Sequence, residues 1–331
     1  MPDLSLLTGE NIAELLIGRE TDVVEWVRQA YFAHDDHSTV NPDSYFLRFP
    51  HKPEARIIAL PAYLGDRDLA GLKWIASFPG NVAEGLARAS AILVLNDGAT
   101  GFPFAVLEAA AISAARTAAS AALAARTLAV RTPKTVGVVG GGVIARTICR
   151  YLAAIDVPLH SVSCHDIDAA SARALCAHLD EYPGAEARTA GIDEVMEADL
   201  VVLATTAAEP YIDPELRLRA DQLVLNISLR DLPPELLMRS NNVLDDVEHC
   251  LKANTSPHLA ELRTGSRDFV TGTLAGVIRG RETPDPSRAT VFSPFGLGVL
   301  DLAVGHELYL IARGQDRLVE VPGFFGDVRR W

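Results

Sequence analysis

Cysteine is scarce. The 331 residues hold four, Cys149, Cys164, Cys176 and Cys250, with no C-x-x-C spacing. Scattered cysteines in a chain of this size form no disulfide framework, and they point to reduced thiols and a cytoplasmic setting. Metal-ligand patterns are missing too. Of the nine histidines, His34 with His37 and His160 with His165 come closest to a pair. Neither pair has Cys, Asp or Glu neighbours at ligand spacing, so no metal is expected. No apolar run is long enough for a membrane span. The Ala-rich stretch from Phe104 to Val130 is the nearest, but Glu108, Arg116 and Arg126 interrupt it, and it reads as a long buried or interface helix. The first residues lack a basic, signal-like segment and read as the start of a helix capped near Thr8. Positive charge is in deficit: 30 Lys and Arg against 43 Asp and Glu leave a net charge of −13. That balance argues against nucleic acid or an anionic membrane as partner. A local cluster of cations can still take a small anion.

What the chain does have is a globular balance, 49% hydrophobic and 22% charged residues, and length enough for two domains. Residues 8–37 carry apolar side chains at helical spacing. Strand-like segments follow: SYFLRF, RIIALPAYL, DLAGLKWIASF and SAILVLND, with NDGATGFP as a hairpin connection. This predicts a mostly antiparallel sheet with helices. After RTPKT the pattern changes to alternating strands and helices, from TVGVV through DQLVLNISL, which predicts a parallel, doubly wound sheet. Helical segments follow at SPHLAEL, TLAGVIRG and from Gly298 to Arg313. The last of these is apolar on more than one face and suits packing back onto the N-terminal region.

Gly140-Gly141-Gly142-Val143-Ile144-Ala145 fits G-x-G-x-x-G/A between a strand and a helix, the context that a dinucleotide loop requires. Gly140 permits the turn, Gly142 lets the backbone approach a pyrophosphate, and Ala145 allows close packing. Asp166 closes the next strand, where a carboxylate accepts the ribose hydroxyls and repels a 2′-phosphate. NAD is therefore expected over NADP, although Arg173 lies close enough in sequence to weaken the preference. Thr205, Thr206 and Ser228 end later strands and should face the same crevice.

Several charged residues sit in apolar company. Lys73 lies in KWIASFPGN, Arg48 in YFLRF, and Arg116 in ISAARTAASA with Thr117 beside it as a candidate phosphate contact. Lys73 and Arg48 fit either a surface position or a ligand for a substrate carboxylate, and Arg116, on a helix whose surroundings look buried, needs an acidic partner or a ligand. Asp231, in NISLRDLPPELL, has two readings as well. It can cap a helix that begins at the prolines, or it can be the acid/base group of an enzyme.

KWIASFPGN, ISAARTAASA, VVGGGVIA and GLGVLDLAVGHELY together resemble the ornithine cyclodeaminase/mu-crystallin family over nearly the whole chain. NDGATGFP, ISAARTAAS and NISLRDLPPE look like its 2,3-diaminopropionate-forming branch. The resemblance implies an α/β protein: a Rossmann doubly wound sheet at 116–299, plus a discontinuous α+β substrate-binding and dimerisation domain at 1–115 with 300–331. It implies NAD as cofactor, a homodimer, and a small anionic amino-acid substrate made by a PLP-dependent synthase. Lys73, Arg116 and Arg48 would hold carboxylates, with Arg230 a further candidate. Asp231 and Lys73 would be catalytic, and Ser293 would join the cofactor contacts. The implied reaction is NAD-dependent cleavage of N-(2-amino-2-carboxyethyl)-L-glutamate to 2,3-diaminopropionate and 2-oxoglutarate, toward a siderophore or peptide antibiotic. Two departures separate the chain from cyclodeaminases. Ile58 stands where they carry a glutamate, and Pro234 replaces the glycine of their Pro-Gly-Lys continuation, with the lysine absent. Ornithine cyclodeaminase, ketimine reductase and alanine-dehydrogenase-like activities, or a non-catalytic NAD(P)H-dependent binding protein like mu-crystallin, are the competing readings.

Overall fold

A computed structural model describes residues 3–326. It divides into two compact units, one ending at Arg116 and resuming at Leu297, the other Thr117–Gly296.

The first unit opens with β1 (Leu4–Leu7), α1 (Gly9–Leu16) and α2 (Glu20–Asp35). Thr8 does cap α1, its hydroxyl accepting from the Asn11 amide at 3.4 Å. The helical pattern expected over residues 8–37 is broken between α1 and α2, where Gly18 takes a left-handed φ of 71°. Then come β2 (Thr39–Val40), β3 (Tyr45–Phe49), β4 (Lys52–Leu64), β5 (Leu69–Ser77), β6 (Ala89–Asp97), β7 (Pro103–Glu108) and α3 (Ala110–Leu128). The Ala-rich helix thus starts later than Phe104. Residues 103–108 alternate between buried Ala105 and Leu107 and half-buried neighbours, the period of a strand. The Glu108 carboxylate accepts from the amides of Ala110 and Ala111, at 2.7 and 3.3 Å, and so starts the helix.

The second unit runs β8 (Val136–Val139), α4 (Val143–Ala154), β9 (Val162–His165), α5 (Ala169–Leu179), β10 (Ala187–Thr189), α6 (Ile192–Val195), β11 (Leu200–Leu203), β12 (Leu223–Asn226), α7 (Pro234–Met238), β13 (Asn241–Leu244), α8 (Val247–Cys250), α9 (Ser256–Thr264), β14 (Val270–Thr273), α10 (Leu274–Ile278) and β15 (Thr290–Ser293). The chain then returns to the first unit with α11 (Gly298–Gly314) and β16 (Val319–Val321).

In the first unit the sheet order is β16-β1-β7-β6-β5-β4-β2, with β3 also on β4. All pairs are antiparallel except β1 with β7. One face carries the cross-strand row Leu60, Lys73, Leu93, and α11 packs over β4, β5 and β6 and against α2. Gly305 allows the close approach, since a Cβ there would lie 2.3 Å from the Leu93 side chain.

The second unit's sheet has the order β10-β9-β8-β11-β12-β15-β13-β14, with every pair parallel. This is a Rossmann-type arrangement. The order reverses at β8, so the crevice beyond the carboxyl ends of β8 and β11 is where such a fold takes its ligand. Among the described residues no helix is long and apolar enough to cross a membrane, and no group of His, Cys, Asp and Glu is arranged for a metal. All four cysteines are free and buried.

Candidate active site

β8 is buried throughout and ends at Val139. Gly140 then turns the chain at φ 98°, its amide donating to the His165 carbonyl at 2.8 Å. A Cβ on Gly140 would lie 2.4 Å from the Ala204 carbonyl oxygen, so only glycine fits both the dihedral and the space. Gly141 donates its amide to the Asp166 carboxylate at 2.7 Å. Gly142 caps α4 without a side-chain bond and faces open space. Val143 is exposed and Ile144 half-buried in the first turn, while Ala145 is fully buried against the sheet. The free N–H groups of this 12-residue helix and the open side of Gly142 suit a pyrophosphate.

Asp166 holds the loop with one carboxylate oxygen and accepts the Asp168 amide with the other, at 2.9 Å. Beside it is a cavity of about 230 Å³, lined by His165, Asp166, Arg173 and Thr189 among others. That is room for the adenosine end of a dinucleotide, and Arg173 does face the same space as Asp166. At the carboxyl end of β12, Asn226 is fully buried and donates to the Ser293 hydroxyl at 3.0 Å. Its Oδ1 has no partner. A buried acceptor left open costs about 1–3 kcal/mol, and the amide of a nicotinamide is a donor of the right kind. The loop, the cavity and this open acceptor fit a dinucleotide.

The Asp231 carboxylate lies just past β12 and is fully buried. It accepts from the Thr205 hydroxyl at 2.5 Å and from the Ser228 hydroxyl, and the Tyr211 phenol also bonds to it. Burial raises its pKa, the Thr205 and Tyr211 bonds working in the other direction. Tyr211 is itself raised by burial and by the neighbouring carboxylate. The capping reading of Asp231 fails: the N-cap of α7 is Pro233, with no side-chain capping bond. Leu232 instead anchors the segment in the core with Ile212, Val224 and Leu236.

Leu229 sits at φ 75°, a dihedral that costs a bulky residue about 1–3 kcal/mol. The turn is held by the Ser256 amide on the Leu229 carbonyl at 2.6 Å. Arg230 donates to the carbonyls of Ala253 and Asn254 at 2.8 and 3.1 Å. Arg230 thereby clamps the turn to the loop before α9. Thr205 and Ser228 meet at Asp231. Thr206 is exposed in the loop after β11, and Ser293 is joined to Asn226.

A second centre lies in the first unit. Lys73 is 1% exposed. Its Nζ donates to Asp301 Oδ2 at 2.7 Å and to Ser113 Oγ at 3.2 Å. Arg116 Nε donates to Asp301 Oδ1 at 3.3 Å. Burial lowers the Lys73 pKa to about 8, against the pull of Asp301 and with the repulsion of Arg116. Two cations and one anion leave one net positive charge. Thr117, half-buried, follows Arg116 on α3. Arg48 is not gathered here. It is exposed, stacks its guanidinium 5.4 Å from the Phe46 ring, and pairs across β4 with Arg56, whereas Lys73 pairs with Leu60. Those positions are about 13 Å apart along the strand.

Sequence reasoning passed over Asp301, Tyr211 and Asn226. Asp301 had a signal, since an acid in the otherwise apolar helix from Gly298 needs a buried cation. Tyr211, in a polar loop, had none.

The ornithine cyclodeaminase/mu-crystallin family model matches residues 13–315. The chain belongs to that family. The nodulation efficiency protein NfeD of Rhizobium meliloti is 30% identical over 289 residues, 84% of this chain and 86% of that one. The N-((2S)-2-amino-2-carboxyethyl)-L-glutamate dehydrogenase of Staphylococcus aureus is 28% identical over 309 residues, 88% of this chain and 90% of that one. An archaeal alanine dehydrogenase dimer with bound NAD is 24% identical and shares the fold, with a TM-score of 0.86 over 97% of this chain and 100% of that one.

Proposed function

We propose that this family member is an NAD-dependent oxidoreductase of amino acids, and that it cleaves N-(2-amino-2-carboxyethyl)-L-glutamate oxidatively. The observation that carries the reading is the buried Asp231 carboxylate beyond the strands that frame the dinucleotide loop. Gly140, Gly141 and Gly142 with the α4 N-terminus hold the pyrophosphate, Asp166 the ribose, and Asn226 with Ser293 the nicotinamide end. When bound, NAD accepts the hydride from the glutamyl Cα. Lys73 and Arg116 bind the α-carboxylate and fix that carbon, a positioning effect. Asp231 takes the proton from the secondary amine as the imine forms. It releases that proton to solvent, takes one from the water that adds to the imine and returns it to nitrogen, and the hydroxyl proton of the carbinolamine passes to the same nitrogen as the C–N bond breaks. The sum is substrate, NAD⁺ and water giving 2-oxoglutarate, 2,3-diaminopropionate, NADH and a proton.

The likeness to the staphylococcal dehydrogenase supports this substrate. Ile58 supports it against cyclisation of ornithine. It is apolar, half-buried and paired with Phe46 and Ile75, and offers nothing to the distal amine. A homodimer is part of the proposal. Tyr45, Trp74 and Ile92 are in one cross-strand row with Ala59 and are 67%, 39% and 45% exposed, on the face opposite α11. A second copy is the natural cover for such an apolar face, and the archaeal neighbour is a dimer. A PLP-dependent synthase supplies the substrate, and a siderophore or peptide antibiotic takes the product. Deuterium placed at the glutamyl Cα tests the chemistry. It should appear in the reduced nicotinamide as 2-oxoglutarate is released, and its absence from NADH would overturn the reading.

A further inference from the structure

Asp301 is the one charged member of the cation centre that the proposed reaction does not use. It is fully buried, within an apolar helix, and both of its oxygens are bonded, one to Lys73 and one to Arg116. A buried carboxylate is costly unless paired, and so is a buried ammonium. Around Lys73, α11 contributes Asp301, α3 contributes Ser113 and Arg116, and the cross-strand partners on β4 and β6 are the uncharged Leu60 and Leu93. Among the described residues, Asp301 is the carboxylate that pairs with the ammonium.

We propose that Asp301 is a positioning residue, a built-in counter-ion that holds Lys73 and Arg116 on either side of itself and leaves them one net positive charge for a single carboxylate. This rests on the reading that the centre binds the substrate carboxylate, and it adds two features. The ammonium is held in the apolar interior in its charged form even before substrate arrives. The two cations are also kept at a fixed spacing, since one carboxylate bridges them. Ser113, one helical turn before Arg116 on α3, accepts a second of the three ammonium protons.

The chain has four lysines, Lys52, Lys73, Lys134 and Lys252. Protein labelled with ¹³C at lysine Cε therefore gives a spectrum simple enough to titrate, and Lys73→Arg assigns the signal of interest. Asp301→Asn keeps the shape of the side chain and removes its charge. The Lys73 midpoint, near 8 in the parent protein, should fall by about a unit or more. Arg116→Gln removes the repelling cation and should move the same midpoint up. An unchanged or raised midpoint in folded Asp301→Asn overturns the proposal. Should Asp301→Asn fail to fold by circular dichroism, Arg116→Gln carries the test, and an unchanged or lowered midpoint there overturns it. No substrate is present in either titration, so an error in the substrate assignment leaves the result intact.

Discussion

At the residue scale the chemistry rests on ionisable groups withdrawn from water. Asp231 is buried among hydroxyls, whose hydrogen bonds stabilise its carboxylate while burial raises its pKa. Lys73 is shifted the opposite way, to about 8. The signs set the pH profile. Asp231 acts as a base only when deprotonated, so kcat/KM should climb as pH rises through its elevated pKa. Lys73 binds a carboxylate only when protonated, so kcat/KM should decline above about pH 8. A bell with an alkaline limb near 8 is expected from initial rates across pH 5–10. A profile flat through pH 9 would remove Lys73 from carboxylate binding. Asp231→Asn should lower kcat by about 10²–10⁴-fold, the usual worth of a general base. NAD affinity by fluorescence titration should stay within twofold of the parent, as Asp231 has no part in holding the loop.

At the scale of elements, two turns do most of the positioning. The β8–α4 turn depends on Gly140, whose dihedral and closeness to the Ala204 carbonyl exclude any side chain. Gly140→Ala should raise the NAD dissociation constant about tenfold or more, some 1.4 kcal/mol, measurable by calorimetry. An unaltered affinity would mean that the loop does not carry the pyrophosphate. The β12–α7 turn is held in strain at Leu229 and clamped by Arg230.

Much of this scale was legible. The glycine turn, the parallel strands and the hairpin at NDGATGFP follow from local chemistry, because period and turn residues are written in adjacent positions. β7 was not, since PFAVLE is continuous with an alanine-rich helix and only its pairing with β1 and β6 makes it a strand. Asp231 kept two readings in the sequence on the same ground. Its sequence neighbours favour capping, but its partners Thr205 and Tyr211 are 20 or more positions away. The pairing of Lys73 with Asp301 spans 228 positions, so no local pattern could show it.

At the scale of the whole molecule, the exposed row of Tyr45, Trp74 and Ile92 is the feature that a lone protomer leaves unexplained. The protomer is 35.5 kDa, and sedimentation should find twice that mass. Trp74→Asp puts a charge in the centre of the row, opposite Ile92. It should shift the sedimenting species to the single-protomer mass with the far-UV spectrum unchanged. A variant that remains dimeric would place the interface elsewhere.

The central claim is the substrate. The most direct measurement is NADH formation by the purified protein with N-(2-amino-2-carboxyethyl)-L-glutamate, L-alanine and L-ornithine, each over a range of concentrations. The expected result is a kcat/KM for the secondary amine about 10²-fold or more above either alternative, the margin that unpaired buried polar groups impose on a substrate unable to satisfy them, with 2,3-diaminopropionate and 2-oxoglutarate formed in equal amounts. Preference for alanine, or release of ammonia and proline from ornithine, would contradict it.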